Sequence, residues 1–375
     1  MTRADNEWPM FALDCRNSNY RPGAAAVSSP SAQQWAVETA HVTYTQPIIA
    51  RGTVIFGDNR GTVWAVDGTS GTVQWQFHAP ESVGSEPAII DGVVYIGNQE
   101  TPEIVINGTT YGGRTGNSPA LHAVDLDTGA QLDSASLSGG VRTAITPYDS
   151  DLIVGSMGGT VRRLSTDGFA CQWTHSMPED IVITPAISNE GVHVCDMSGR
   201  LTTLDIGSGG VLWQRSLDSQ SRSWKRTQTE VLPLAVDEDT LLVVNSENEL
   251  VALETATGEL LWVATEADFF GSPAIADRTA VVGTLEGRVI GVDIDSGNLM
   301  WTVEHGGRIG ESAPTIGGDH VYFGIKEDNH GRIYCVELET GATVWDWKTE
   351  FPVSSAPTVA GGNLFVAIRN RIVSL

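Results

Sequence analysis

A glycine stands four residues before an aromatic landmark, and a carboxylate stands four residues before the glycine, again and again along this chain. The glycines are Gly71, Gly129, Gly209, Gly258, Gly297 and Gly341, and the carboxylates are Asp67, Asp125, Asp205, Glu254, Asp293 and Glu337. The landmark is Trp35, Trp75, Trp173, Trp213, Trp262, Trp301 and Trp345, with Asp133 in the equivalent place of the second repeat. A proline opens most units, at Pro47, Pro87, Pro185, Pro233, Pro273, Pro314 and Pro357, and Ile145 holds that register in the third. The third repeat also deviates at its turn, where Gly168 lies five residues before Trp173. A period of about 40 residues cannot be a heptad or a collagen repeat; it is the length of one supersecondary unit that must stack on copies of itself.

The segment 271–301, GSPAIADRTAVVGTLEGRVIGVDIDSGNLMW, shows what the unit is. Pro273 suits the first position of a strand, where its missing N–H breaks no central ladder bond. Val281-Val282-Gly283 and Val289-Ile290-Gly291-Val292 are short β-branched runs separated by Leu285-Glu286-Gly287, and such runs between turn residues read as strands. Asp293 to Gly297 is a tight turn, with a carboxylate able to accept backbone N–H groups and a glycine able to take positive φ. The fourth strand carries Trp301. Four short antiparallel strands per unit make one propeller blade, and a lone blade cannot bury both faces.

The chain ends fit the same scheme. The last repeat stops after a third strand at Arg371-Ile372-Val373-Ser374-Leu375, whereas Gln33-Gln34-Trp35-Ala36-Val37 is a fourth strand with no repeat before it. Residues 33–39 are therefore expected to close the last blade, removing the free edges of an open array. The expectation is an all-β, eight-bladed propeller of four-stranded antiparallel blades, with residues 1–32 as an N-terminal arm packed on it and 33–375 as a single domain. Trp8-Pro9-Met10-Phe11, Asp14 and Tyr20 would lay their side chains on the body.

The unit resembles the PQQ-type β-propeller repeat, S-P-A…G…(L/V)-x-(A/G)-(L/V)-D-x-x-(S/T)-G-x-x-x-W, from residue 8 to 375. A WD-type propeller fits poorly, because neither Gly-His nor Trp-Asp recurs at the period. The resemblance implies two functions. Quinoprotein dehydrogenases of this class bind a tricarboxylate quinone with calcium near the axis and use an Asp base to oxidise alcohols or sugars. They are larger, and the alcohol-oxidising ones carry an adjacent Cys-Cys pair that is absent here. The outer-membrane assembly lipoprotein of Gram-negative bacteria uses a similar ring without catalysis, and protein binding on a rigid ring is the mode carried over. A non-catalytic scaffold is the favoured expectation, with no cofactor; PQQ with calcium belongs to the dehydrogenase alternative.

The residues offer no chemistry to oppose that. There is no Gly-x-Ser-x-Gly elbow, His-Glu-x-x-His, P-loop or dinucleotide fingerprint. Asp125-Leu-Asp127 and Asp293-Ile-Asp295 lack the remaining ligands of a calcium loop and read as turn caps. Cys15, Cys171, Cys195 and Cys335 form no CxxC and no adjacent pair, so no metal site is expected; Cys195 and Cys335 fall in strand patterns as small core residues. No run approaches the ~20 apolar residues of a membrane span. The first ten residues, MTRADNEWPM, lack an apolar export core, from which a cytoplasmic location is expected. With 22 basic against 46 acidic residues and a net charge of -24, no nucleic-acid partner is expected. An acidic surface with Lys at only Lys225, Lys326 and Lys348 resembles that of proteins from salt-loving archaea.

Function is expected on one face. Strand direction alternates, so loops entering the first strand and loops between the second and third share a face, here the upper, and the other two loop types share the lower. The long insertions, 98–119, 214–232 and 325–332, all fall on the upper face. Lower turns are acidic, whereas many of the scarce cations fall on upper loops or their edges, among them Arg60, Arg200, Arg288, Arg332 and Arg369. Such clustering points to a protein partner or a small anionic ligand at the upper mouth, bound by a monomer. The residues placed to reach it are Arg142, Glu230, Arg308 and Glu311 before inner strands, Trp224-Lys225-Arg226 for stacking on a planar anion, and Lys326. The bland alternative is that these cations neutralise neighbouring glutamates.

Overall fold

The computed structural model describes residues 7–375 except 31, 84, 99–103, 107–108, 112–119, 138, 218–233, 246, 308 and 310–312. Eight blades, each built on four antiparallel strands, follow one another around a ring. Blade 1 shows the pattern, with strands Ile48–Ala50, Thr53–Gly57, Thr62–Asp67 and Val73–His78 hydrogen-bonded in chain order. The innermost strand is short and buried, and the outermost alternates buried with exposed residues. Blade 8 takes Thr358–Ala360, Asn363–Ile368 and Arg371–Ser374 from the C-terminus and Trp35–Glu38 from the N-terminus. Trp35 pairs with Ser374 and Glu38 with Arg371, so the ring is closed by the two ends of the chain. An extra hairpin, Ile104–Ile106 with Thr109–Tyr111, stands between the second and third strands of blade 2. The reference unit departs from its reading at one point. Its first strand begins earlier, at Phe269, and Pro273 sits in an irregularity between Phe270 and Ala274, where no ladder bond needs its N–H.

The periodic residues make the joints between blades. Trp75 of blade 1 donates its indole N–H to the Leu126 carbonyl in the lower turn of blade 2, at 2.8 Å. The same bond runs from Trp35 to Gly68, Trp173 to Ile206, Trp213 to Thr255, Trp262 to Ile294 and Trp301 to Leu338, always to the residue after the turn carboxylate. The turn glycine lies against the same indole. A Cβ on Gly129, at φ +73°, would come within 2.7 Å of the Trp75 ring, and Gly71, Gly209, Gly258, Gly297 and Gly341 meet Trp35, Trp173, Trp213, Trp262 and Trp301 in the same way. Glycine is needed there twice, for its left-handed backbone and for its missing side chain. The carboxylate fixes the turn: Asp67 Oδ1 accepts the Ser70 N–H at 2.7 Å and its hydroxyl at 2.8 Å, which hold the carboxyl below its ordinary pKa range.

Two joints differ. Between blades 2 and 3 the tryptophan is missing, and the extra residue of the third turn, Phe169, swings inward at φ +52° and packs edge-on against Tyr95 of blade 2. Between blades 7 and 8 the acceptor turn is missing, because the strands it would join come from opposite chain ends. Val27 replaces it: its carbonyl accepts the Trp345 indole N–H at 2.9 Å and its N–H donates to the Tyr322 hydroxyl.

Residues 8–21 fill the channel. The inner strand of each blade turns one edge toward the axis, and six of them donate an N–H to this segment at 2.7 to 2.9 Å: Ile49 to Trp8, Ile89 to Pro9, Ile187 to Cys15, Val236 to Arg16, Ile275 to Ser18 and Ile316 to Asn19. The segment thus visits the blades in order as it crosses the axis. Blade 3 contributes no such bond because Pro147 holds the register of Ile49 and has no N–H; there Phe11 and Ala12 pack on Ala144. Trp8 is fully buried, and Asn17 and Asn19 are too, with the Asn17 amide donating to the Leu234 carbonyl at 2.8 Å. The Arg21 guanidinium returns to the Glu7 carbonyl. Tyr20–Arg21 adds a short parallel strand inside blade 7.

Two consequences can be measured. Gly129→Ala should lower the unfolding free energy by about 2 kcal/mol or more, since the alanine meets both positive φ and the Trp75 ring; a urea midpoint equal to that of the parent would contradict the joint. Burial pushes the His193 imidazole down to about 3, between the Thr203 and Ser188 hydroxyls. It stays neutral while the unfolded chain's histidine protonates, so its contribution is fully present above about pH 6.5 and is lost as the pH falls toward its folded pKa, by on the order of 1 kcal/mol per pH unit. His193→Gln should flatten the stability profile between about pH 6.5 and pH 4, read from denaturant midpoints.

Candidate functional site

Among the described residues, a concave surface open to a ligand lies among upper loops. A cleft of about 700 Å³ is bounded by loops of blades 6, 7, 8 and 1, within the range of ligand pockets. Phe270 and Leu285 come from blade 6, Lys326, Asp328 and Asn329 from the second connection of blade 7, Phe351 to Ser354 from the loop entering blade 8, Arg369 from the hairpin of blade 8, and Tyr44 from the loop entering blade 1. Ile309 and Val353 form part of its floor for a structural reason: each packs on a second-strand glycine of the preceding sheet, Gly283 and Gly324, where a Cβ would collide.

Charge on this face is partly cancelled. Arg288 pairs with Glu286 at 3.0 Å, Arg371 with Glu38 and Glu350 at 3.0 Å, and Arg332 with Asp346 and Glu327. His330 meets the same Glu327. The neutralising reading of these cations is therefore correct for them. Lys326, Arg369, Arg60 and Arg200 form no ion pair among the described residues, and of these Lys326 and Arg369 line the cleft. The Arg369 guanidinium lies over the Phe351 ring at 4.9 Å, a cation–π contact that leaves its N–H edges available. Nearby, burial pushes His305 down to about 4, with its ring 3.8 Å from that of Tyr334, so it is neutral and adds no cation near neutral pH.

Of the residues singled out from sequence, Lys326 lines the cleft. Arg142 is half-buried in the loop entering blade 3 and is not part of the lining. Trp224, Lys225, Arg226, Glu230, Arg308 and Glu311 lie outside the described residues, as does most of the insertions 98–119 and 214–232. Sequence reading passed over Tyr44, Phe270 and Phe351, which look like ordinary strand-flanking aromatics. It counted Arg369 among the upper cations without placing it at a site.

The axis is packed with the side chains of residues 8–21, and among the described residues no three His, Cys, Asp or Glu side chains converge on one point. Cys195 and Cys335 are buried, and burial pushes the Cys335 thiol up to about 12.

Fold and repeat together define an eight-bladed propeller of the PQQ-type repeat class. The chain belongs to the family described as outer membrane protein assembly factor BamB, whose profile matches residues 19–117, 99–284, 221–329 and 285–375. The factor of that name from Yersinia pestis is 26% identical over 290 residues, spanning 72% of this chain and 67% of its own. The crystal structure of BamB from Moraxella catarrhalis superposes with a TM-score of 0.73 at 17% identity, over 92% of this chain and 98% of that one. A quinohemoprotein alcohol dehydrogenase from Pseudomonas putida superposes at 0.75 and 12% identity, over 99% of this chain and 80% of that one, a likeness of fold alone.

These relatives overturn the cytoplasmic expectation, because they are outer membrane assembly factors, which work outside the cytoplasm. That expectation rested on the first ten residues, which describe where the sequence starts and carry no compartment signal of their own. Among the described residues no helix is long and apolar enough to cross a membrane.

Proposed function

We propose that this chain is a non-catalytic scaffold of outer membrane protein assembly, holding a partner polypeptide on the upper face that carries 98–119, 214–232 and 325–332. The observation that carries the reading is membership of the assembly-factor family along nearly the whole chain. Three features of the ring support it. Its bore is filled by its own residues 8–21, so binding belongs to the loops. Its lower turns are held in one geometry by the blade joints. Its upper loops vary in length and enclose a cleft with an apolar lining and two cations. A rigid ring with one variable face suits recognition without chemistry.

Site-specific photocrosslinking in the native envelope tests this. A benzoylphenylalanine at position 44, on the upper face, should yield a discrete crosslink to another assembly component. The same probe at Thr69, exposed on the lower face, should give none. Equal yields at both positions, or a crosslink from the lower face alone, would remove the upper face from the reading.

A further inference from the structure

Twelve large apolar side chains are exposed among the described residues. Ten of them, such as Val211, Leu260 and Met300, lie on fourth strands at the outer rim; the other two, Tyr44 and Leu285, lie on upper loops, and both line the cleft. Tyr44 is 50% exposed and Leu285 38%. The same cleft holds two cations without ion-pair partners among the described residues, in a chain with 46 acidic residues to 22 basic ones, on a face where Arg288, Arg332 and Arg371 are all paired. One carboxylate, Asp328, also borders it, so that among the described lining residues two cations stand against one carboxylate.

Arg369 carries a further cost. It occupies the first position of a two-residue hairpin turn, Arg369-Asn370, between Ile368 and Arg371, with φ +58°. Asn or Gly is favoured at that position and an ordinary side chain is disfavoured. Its carbonyl accepts the Thr43 N–H, a bond any residue could make. The arginine side chain is thus not required by the turn, and what it adds is a cation set over Phe351 at the cleft.

Resting on the scaffold reading, we propose that this cleft binds an extended segment of a partner polypeptide in which a large apolar side chain stands beside a carboxylate. The apolar side chain enters between Tyr44, Phe270, Leu285 and Phe351, and the carboxylate meets Lys326 and Arg369. A peptide is the favoured occupant because it also brings backbone amides, for which Asp328 and the Asn329 amide at the border offer hydrogen-bond partners. The outer-rim residues carry no comparable argument, since no charge accompanies them in a way that specifies an occupant.

The test uses acetylated, amidated pentapeptides with a central phenylalanine flanked by glutamate and aspartate, by their amide counterparts, or by two lysines, followed by saturation-transfer NMR and calorimetry with the full chain. The acidic peptide should bind most tightly, the amide version roughly five- to tenfold more weakly, and the lysine version not measurably, with affinity falling as salt rises from about 0.1 M to 1 M. Replacing phenylalanine by alanine in the acidic peptide should abolish binding. Arg369→Asn should weaken binding about threefold while the melting temperature stays level or rises, because asparagine suits the turn; Lys326→Gln is a second variant that leaves the hairpin untouched. No binding of the acidic peptide, equal binding of the lysine peptide, or binding of free phenylacetate as tight as that of the peptide would each overturn the proposal. Upper-face crosslinks persisting alongside such a result would leave the scaffold reading standing and sink only this occupant.

Discussion

The contact of a tryptophan ring with a glycine on the neighbouring blade sets most of what this molecule can be. The indole N–H donates to the carbonyl after the turn carboxylate, while its face lies on the glycine Cα of the same turn. Six joints combine a largely buried aromatic with a hydrogen bond of this kind, worth about 1 kcal/mol. Because two points of one turn must meet one rigid ring, the six turns that receive a tryptophan keep one length and one backbone. Upper loops take no part in that docking, and there the chain inserts residues. The separation of a conserved-geometry face from a variable one thus follows from the packing of Trp on Gly. The upper side is left free to vary for the same reason.

A ring of blades has one further liability, the inner strand edges that face the axis with unpaired N–H groups. Residues 8–21 answer it by lending carbonyls to six blades in turn. Val27 then supplies the carbonyl that blade 8 lacks, so one N-terminal stretch both covers the inner edges and repairs the joint left by cutting the ring open in blade 8. The blade 2 to blade 3 joint shows how far the rule bends. Without its tryptophan, one added residue, Phe169, fills the gap from the other side.

How much of this was legible depends on how local the signal is. Trp, Gly and the carboxylate of the turn are bound by spacings of four residues, so they can be read directly, and the broken last repeat announces the closing strand. The long contacts of residues 8–21 carry no period. Their carbonyls look like any others, and only the ring brings Ile49 and Ile316 to face the same segment. The site divides in the same way. Lys326 was identifiable as a scarce cation in a lengthened loop. Arg332 was an equally good candidate by that criterion, and what separates it is that Glu327 and Asp346 stand within reach.

The sequence by itself determined the blade, the number of blades and the way the ring closes, because each rests on short-range periodicity that a turn and a strand impose on neighbouring residues. Only the tertiary structure decided that the channel is filled, that Val27 completes the last joint, and that Tyr44, Lys326, Phe351 and Arg369 border one cleft. Those four come from three blades, up to 325 positions apart in the chain. Their meeting depends on the angle between successive sheets, which is set by side-chain packing at the joints and leaves no pattern along the chain.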